Sequence, residues 1–266
     1  YFENLFVKDS VVITTSNYGP LFFDVSEDKF NRLTDISSSV TSTKCCYDDG
    51  ADLHGNNLYI STGGDMGYGY RIIDVTNPKS PSHVSDVTVT DLRPDDGYNP
   101  WFVALEANDK YVVLIDEYGG TGNESGVDNG AVRIFNTTSP YTEVAKFDVG
   151  YADKFELAGN YIYMTYGGVL RVYDISDIND IKIVSRLGYD YYSDEYICHG
   201  GDCNSYWVYS AGDIKLHGNY LYANEGYKYG VDIFDVSDPT KPFRVASIPE
   251  KKHDPWVWNP DTEEWD

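Results

Sequence analysis

Gly230-Val-Asp-Ile-Phe-Asp-Val-Ser-Asp-Pro239 is the stretch that decides the fold. Its first half is rich in branched and aromatic side chains, which pack well on a pleated strand surface. Its second half ends that strand: Asp and Ser bond to their own backbone, and Pro cannot extend a hydrogen-bonded ladder. The phrase stands at four other places: Leu21-Phe-Phe-Asp-Val-Ser26, Arg71-Ile-Ile-Asp-Val-Thr-Asn-Pro78, Arg133-Ile-Phe-Asn-Thr-Thr138 and Arg171-Val-Tyr-Asp-Ile-Ser-Asp177. Its polar anchor therefore falls at Asp24, Asp74, Asn136, Asp174 and Asp235.

A second phrase precedes four of these: His54-Gly-Asn-Asn-Leu-Tyr-Ile60, Asn108-Asp-Lys-Tyr-Val-Val113, Ala158-Gly-Asn-Tyr-Ile-Tyr163 and His217-Gly-Asn-Tyr-Leu-Tyr222. Lys8-Asp-Ser-Val-Val-Ile13 takes that place in the first repeat. Gly-Asn or Asn-Asp between two apolar runs supplies the positive φ angles of a tight hairpin. A further strand follows the anchor, as in Glu143-Val-Ala-Lys-Phe147, Ile183-Val-Ser-Arg-Leu187 and Phe243-Arg-Val-Ala-Ser-Ile248. Each repeat thus holds four short strands, and four-stranded sheets recurring every ~40–50 residues are propeller blades. A pair of β-sandwiches would not place one phrase at one point of five successive units. The expectation is an all-β, five-bladed β-propeller of four-stranded antiparallel blades. One domain then spans residues 1–250, with blades at roughly 1–42, 48–92, 98–150, 151–190 and 206–250. A tail, 251–266, closes the ring or contacts a neighbour.

The phrases Gly168-Val-Leu-Arg-Val-Tyr-Asp-Ile-Ser176 and Gly230-Val-Asp-Ile-Phe-Asp-Val-Ser-Asp-Pro239 resemble the LVIVD repeat, over about Asn4 to Ile248. The third repeat departs most, with Asn136-Thr-Thr where Asp-Val-Ser is expected. The resemblance implies a surface or secreted propeller and transfers no catalytic residue.

Composition narrows the partners. Net charge is −23, from 43 acidic and 20 basic residues, so nucleic acid and anionic lipid are disfavoured. The chain starts at Tyr1 without an apolar leader or a membrane-length apolar run, and reads as mature or trimmed. The four cysteines, Cys45, Cys46, Cys198 and Cys203, carry no zinc-ligand spacing and are read as disulfide partners. Two pairings stay open: Cys45 and Cys46 each bonded to one of Cys198 and Cys203, or a vicinal 45–46 bond with a 198–203 loop. Sequons at Asn123 and Asn136 permit glycosylation. Together these features point to an extracellular or cell-surface, glycosylated, disulfide-bonded chain.

Function is expected where the repeat breaks, because loops tolerate insertion while the blades hold them rigid. Residues 116–130, between the middle strands of blade 3, read first as a solvated loop; Asp116, Glu117 and Asp128 are its calcium candidates. The connection from blade 4 to blade 5 brings Tyr191, Tyr192, Tyr196, Tyr206 and Trp207, suited to stacking on sugars or to a protein contact. The tail brings Trp256, Trp258 and Trp265 and reads as a spare inner strand, closing the ring or joining another molecule into a filament or layer. The enzymatic alternative is a glycoside hydrolase whose funnel carboxylates sit near the starts of inner strands, at Asp49 or Asp52, Glu106, Asp153, Asp213 and Asp254. Asp153 and Asp213 are its named candidates. Each of these Asp residues also stands where a turn former belongs, so the expected function is a non-catalytic binding or structural module, with no cofactor unless calcium.

Overall fold

The computed structural model describes residues 4–16, 19–26, 29–41, 50–63, 68–89, 102–116, 130–150, 154–166, 169–190, 195–197, 213–224, 230–248, 258–259 and 264–265. The protein is an all-β, five-bladed β-propeller of four-stranded antiparallel blades. Blade 1 is β1 (Leu5–Lys8), β2 (Val11–Thr14), β3 (Leu21–Asp24) and β4 (Asn31–Arg32), followed by the helical turn α1 (Ser38–Thr41). Blade 2 is β5 (Ala51–His54), β6 (Asn57–Thr62), β7 (Gly69–Asp74) and β8 (Ser82–Thr88). Blade 3 is β9 (Phe102–Ala107), β10 (Tyr111–Asp116), β11 (Gly130–Asn136) and β12 (Glu143–Gly150).

Blade 4 is β13 (Lys154–Ala158), β14 (Tyr161–Tyr166), β15 (Val169–Asp174) and β16 (Lys182–Asp190), with a fifth strand, β17 (Glu195–Ile197), on its outer edge. Blade 5 is β18 (Asp213–His217), β19 (Tyr220–Asn224), β20 (Val231–Asp235) and β21 (Phe243–Ile248). In the tail, β22 (Trp258–Asn259) pairs with β23 (Glu264–Trp265), so these residues form a hairpin with each other where the sequence suggested a spare inner strand. No helix among the described residues is long and apolar enough to cross a membrane.

The chain divides into two compact units, Tyr1–Ala152 with blades 1 to 3 and Asp153–Asp266 with blades 4 and 5 and the hairpin. Within each unit, neighbouring blades bury opposite faces of their strands. Val11, Ile13 and Phe22 of blade 1 meet Leu58, Ile60 and Ile73 of blade 2. The intervening residue, Tyr59, looks the other way with Tyr70 and Ile72, towards Leu105, Val112, Leu114 and Phe135 of blade 3. Side chains alternate along a strand with period two, so one six-residue strand serves two cores. Tyr163, Leu170 and Val172 of blade 4 meet Ile214, Leu221 and Phe234 of blade 5 in the same manner.

The two recurring phrases recur together because they bond to each other. The residue after each anchor donates its N–H to a carbonyl of the first hairpin: Val25 to Ser10, Val75 to Asn56, Ile175 to Asn160 and Val236 to Asn219, all at 2.8 Å. Each anchor carboxylate accepts the N–H two residues on: Asp24 from Ser26 (3.0 Å), Asp74 from Thr76 (2.7 Å), Asp174 from Ser176 (2.8 Å) and Asp235 from Ser237 (2.9 Å). Gly55, Gly159 and Gly218 supply the left-handed residue of the hairpin at φ near 60°, and Asp9 takes that place in blade 1. Blade 3 keeps the backbone bond, Thr137 N–H to the Lys110 carbonyl at 3.2 Å, but its anchor differs: Asn136 donates from Nδ2 to Thr142 Oγ1 at 2.8 Å.

These anchors set the acid limit of the fold. The Lys79 ammonium and the Ser26 bonds bring Asp24 down to about 2. Asp74, Asp235 and Asp238 are lowered by their bonds to Thr76, Ser237 and Thr240, and Asp86 is lowered chiefly by Arg71. A carboxylate lowered on folding stabilises the native state above its unfolded value, near pH 4, and that help disappears as pH falls through the folded value. Thermal midpoints followed by circular dichroism should therefore hold down to about pH 4 and fall between about pH 4 and 2. A midpoint indifferent to that interval would show that the turn bonds contribute nothing.

Candidate functional site

Counting back from the first hairpin gives one equivalent inner-strand position per blade: Phe6, Asp52, Glu106, Glu156 and Lys215. Their cross-strand partners are Ile13, Tyr59, Val113, Tyr163 and Tyr222. Charge at this position joins blades. Asp52 Oδ1 accepts the Leu53 N–H at 2.8 Å and its Oδ2 accepts the Ala107 N–H of the next blade at 2.9 Å. Glu156, buried on β13, pairs with Lys215 of β18. Two residues nearer the hairpin the pattern repeats at the blade ends. Lys8 Nζ donates to the Gly55 carbonyl (3.0 Å) and Asn56 Oδ1 (2.9 Å), and His54 Nε2 meets Asp109 Oδ1 at 2.7 Å. Asp52 and Glu156 thus act as acceptors that hold adjacent blades.

Of the funnel carboxylates expected from the sequence, Asp52 and Glu106 stand at this position. Asp213 opens β18 opposite Asn224 and is exposed, two residues before Lys215. Asp153, Asp49 and Asp254 lie outside the described residues. Of the calcium candidates, Asp116 is the buried last residue of β10, and its Oδ2 accepts from Arg133 Nε at 3.2 Å; Glu117 and Asp128 lie outside. Among the described residues no three His, Cys, Asp or Glu side chains group as a metal centre would require. Tyr196 belongs to β17, opposite Tyr189, and Trp258 stands opposite Trp265. Tyr191, Tyr192, Tyr206, Trp207, Trp256, Cys45, Cys46, Cys198, Cys203 and Asn123 lie outside the described residues. Asn136 ends β11, with its amide engaged by Thr142.

A charged position escaped the sequence reading although it opens the repeated phrase. Arg71 forks onto Asp86 at 2.6 and 3.0 Å, and Arg133 reaches Asp116 and Glu143. In blade 5 the order reverses, with Asp232 on β20 taking Arg244 of β21 at 3.2 Å. The signal was the Arg three residues before the anchor in three repeats. Its partners are 10 to 17 residues away and follow no fixed spacing.

The geometry separates the two ends of every blade. One end carries the hairpin joining the first two strands and the turn joining the last two, and there Asp24, Asp74, Asp174, Asp177, Asp235 and Asp238 are bound to backbone N–H groups. The other end carries the strand ends that residues 90–101, 117–129 and 191–194 connect, and residues 42–49 lead into β5 there.

Three stretches match the LVIVD repeat: residues 52–89, 149–186 and 210–248, in blades 2, 4 and 5. No curated protein is significantly similar in sequence. Among solved structures, the chain is similar to a candidate 6-phosphogluconolactonase of Bacteroides fragilis, at TM-score 0.60 and 14% identity over 97% of this chain and 74% of that one. It is also similar to a functionally unknown protein of Desulfotomaculum acetoxidans, at TM-score 0.57 and 13% identity over 94% and 70%. A third likeness is to Kluyveromyces lactis Hsv2 with its loop 6CD replaced by a Gly-Ser linker, at TM-score 0.54 and 10% identity over 93% of this chain. The chain spans 66% of that protein's length. At these identities the likeness is one of fold.

Proposed function

We propose, from the premise that this chain is an LVIVD-repeat β-propeller, that it is a non-catalytic binding and assembly module of the cell surface or extracellular space. Its contacts, to protein or glycan, are made at the loop-bearing ends of the blades. The observation that carries this reading is the asymmetry between the two ends. At the turn end the repeated carboxylates are spent on capping backbone N–H groups, as at Asp74, Asp174 and Asp235. The aromatic-rich segment 191–207 lies in sequence between β16 and β18, where nothing in the repeat prescribes its sequence. Location rests on the even cysteine count and the two sequons.

A glycan array, read with the purified native chain, tests the proposal. Tyr206→Ala or Trp207→Ala should weaken binding by about tenfold or more, as loss of an aromatic anchor does, while Asp177→Ala at the turn end should leave it unchanged. Equal loss from both kinds of variant would remove the loop ends from the account. Sugar release that disappears in Asp153→Asn or Asp213→Asn would replace binding with glycoside hydrolysis. Repeating the array with and without calcium tests the 117–129 loop as a cation site.

A further inference from the structure

The outer strand of blade 5 is built unlike the others. On β21, Phe243, Val245 and Ile248 are 54, 45 and 59% exposed, whereas among the described side chains β8 and β16 each expose a single large apolar residue, Val84 and Ile183. The register slips between Ile233 and Phe234, as it does at the same place in blades 2 to 4, and leaves Val245 in the bulge between Arg244 and Ala246. Among the described residues β21 pairs with β20 alone, while the corresponding strand of blade 4, β16, accepts β17 on its outer edge. Blade 5 thus presents an apolar strip along an edge of the kind that blade 4 already fills with a strand.

The same unit carries a segment in need of such a strip. Two strands of two residues each do not make a hairpin that is stable by itself in water. Residues 256–266 hold three of the chain's five tryptophans, and the register sets Trp258 opposite Trp265. Charge is complementary as well. In sequence Trp265 is flanked by Asp261, Glu263, Glu264 and Asp266, whereas residues 240–252 carry Lys241, Arg244, Lys251 and Lys252 against Glu250, in a chain of net charge −23. Lys241 is exposed at the foot of the strip. Within a single chain Phe243, Val245 and Ile248 stay exposed, which points to an occupant from another chain.

We propose that the β22–β23 hairpin of one copy docks on the outer strand of blade 5 of a second copy, by strand addition with its tryptophans over Phe243, Val245 and Ile248. The contact joins two different surfaces, so it propagates from copy to copy into rings or filaments. This inference rests on the reading of the chain as an assembly module, and names its protein partner as itself.

The test is sedimentation velocity of the full, untagged chain over a range of concentrations. The wild type should form multimers that grow with concentration. Val245→Lys removes the acceptor and Trp265→Ala the donor; each alone should weaken association about tenfold or more, with unchanged circular dichroism. Phe243→Ser is a second acceptor variant should Trp265→Ala fail to fold. Mixed, the Val245→Lys and Trp265→Ala proteins retain one intact junction between them and should stop at dimers, an outcome peculiar to a head-to-tail contact. A wild type that stays monomeric, or variants that assemble like it, would overturn the inference. A monomer that still binds glycan through Tyr206 and Trp207 would do so while leaving the proposed function standing.

Discussion

Replacing Arg133 by alanine is expected to cost the fold about 3–5 kcal/mol, a large part of the roughly 5–15 kcal/mol that holds a typical domain together. The Arg133 side chain is 2% exposed and Asp116 is 1% exposed, and the two meet at 3.2 Å across β10 and β11. The second arm of the guanidinium reaches Glu143 on β12 at 3.1 Å, so one side chain crosses three strands of blade 3. Alanine removes that charge and leaves the Asp116 carboxylate buried on the sheet face it shares with Leu114 and Ala131, both fully buried. A buried carboxylate without its cation must keep an uncompensated charge or take up a proton, and either is costly at neutral pH. The double variant Arg133→Leu, Asp116→Leu removes both charges and should recover most of the loss, since apolar replacement of a buried pair is often neutral. Urea unfolding followed by Trp fluorescence measures all three proteins. A loss below about 1 kcal/mol for Arg133→Ala would show that water reaches Asp116 and that the pair is a surface one.

That pair marks a boundary in what the sequence makes visible. The Asp-Val-Ser anchor and the Gly-Asn hairpin are legible because each is fixed by bonds inside a few residues, and the bond between them, Val75 to Asn56 or Val236 to Asn219, repeats with the blades. Five strand-ending anchors therefore predict five blades. The inner-strand acids are harder. Counting from strand starts gives Asp52, Glu106, Asp153 and Asp213, whereas counting back from the hairpin gives Asp52 and Glu106 again but Glu156 and Lys215 in blades 4 and 5. In the tail, Trp258-Asn-Pro260 resembles Tyr98-Asn-Pro-Trp101, and the described residues add that Trp258–Asn259 pairs with Glu264–Trp265. Strand β17 follows a segment with no counterpart elsewhere in the chain, so repetition offers no guide to it. Binding residues are the least legible, because a loop outside the repeat has no period against which an unusual side chain stands out.

Gly69→Ala is expected to be as damaging as the loss of Arg133, through collision added to a φ of 157° that residues with a side chain rarely adopt. A Cβ at Gly69 would lie 1.9 Å from the Val87 carbonyl oxygen, 2.9 Å from its carbon and 3.1 Å from Thr88 Cα. All three are backbone atoms of β8, so no rotamer change relieves the overlap, and β7 must move away from its partner. Gly69 pairs with Thr88, and just beyond it the Val89 N–H donates to the Tyr68 carbonyl at 2.7 Å. Separation there also pulls Tyr70 and Val89 out of the core shared with Phe102, Leu105 and Phe135 of blade 3. Overpacking of this kind costs about 3 kcal/mol, and more where the backbone has to yield. The same register carries glycine in the neighbouring sheets, where Gly130 faces Gly150 and Val169 faces Gly188. Gly55→Ala is the control that separates collision from conformation. Gly55 sits at φ 60° with open space around the position a Cβ would take. Its substitution should cost only about 1–2 kcal/mol of left-handed backbone strain. Urea midpoints for the two variants decide the matter: a much larger shift for Gly69→Ala places the cost in the β7–β8 approach. Equal shifts would mean that β8 yields freely and that the blade edge is softer than the packing of Tyr70 implies.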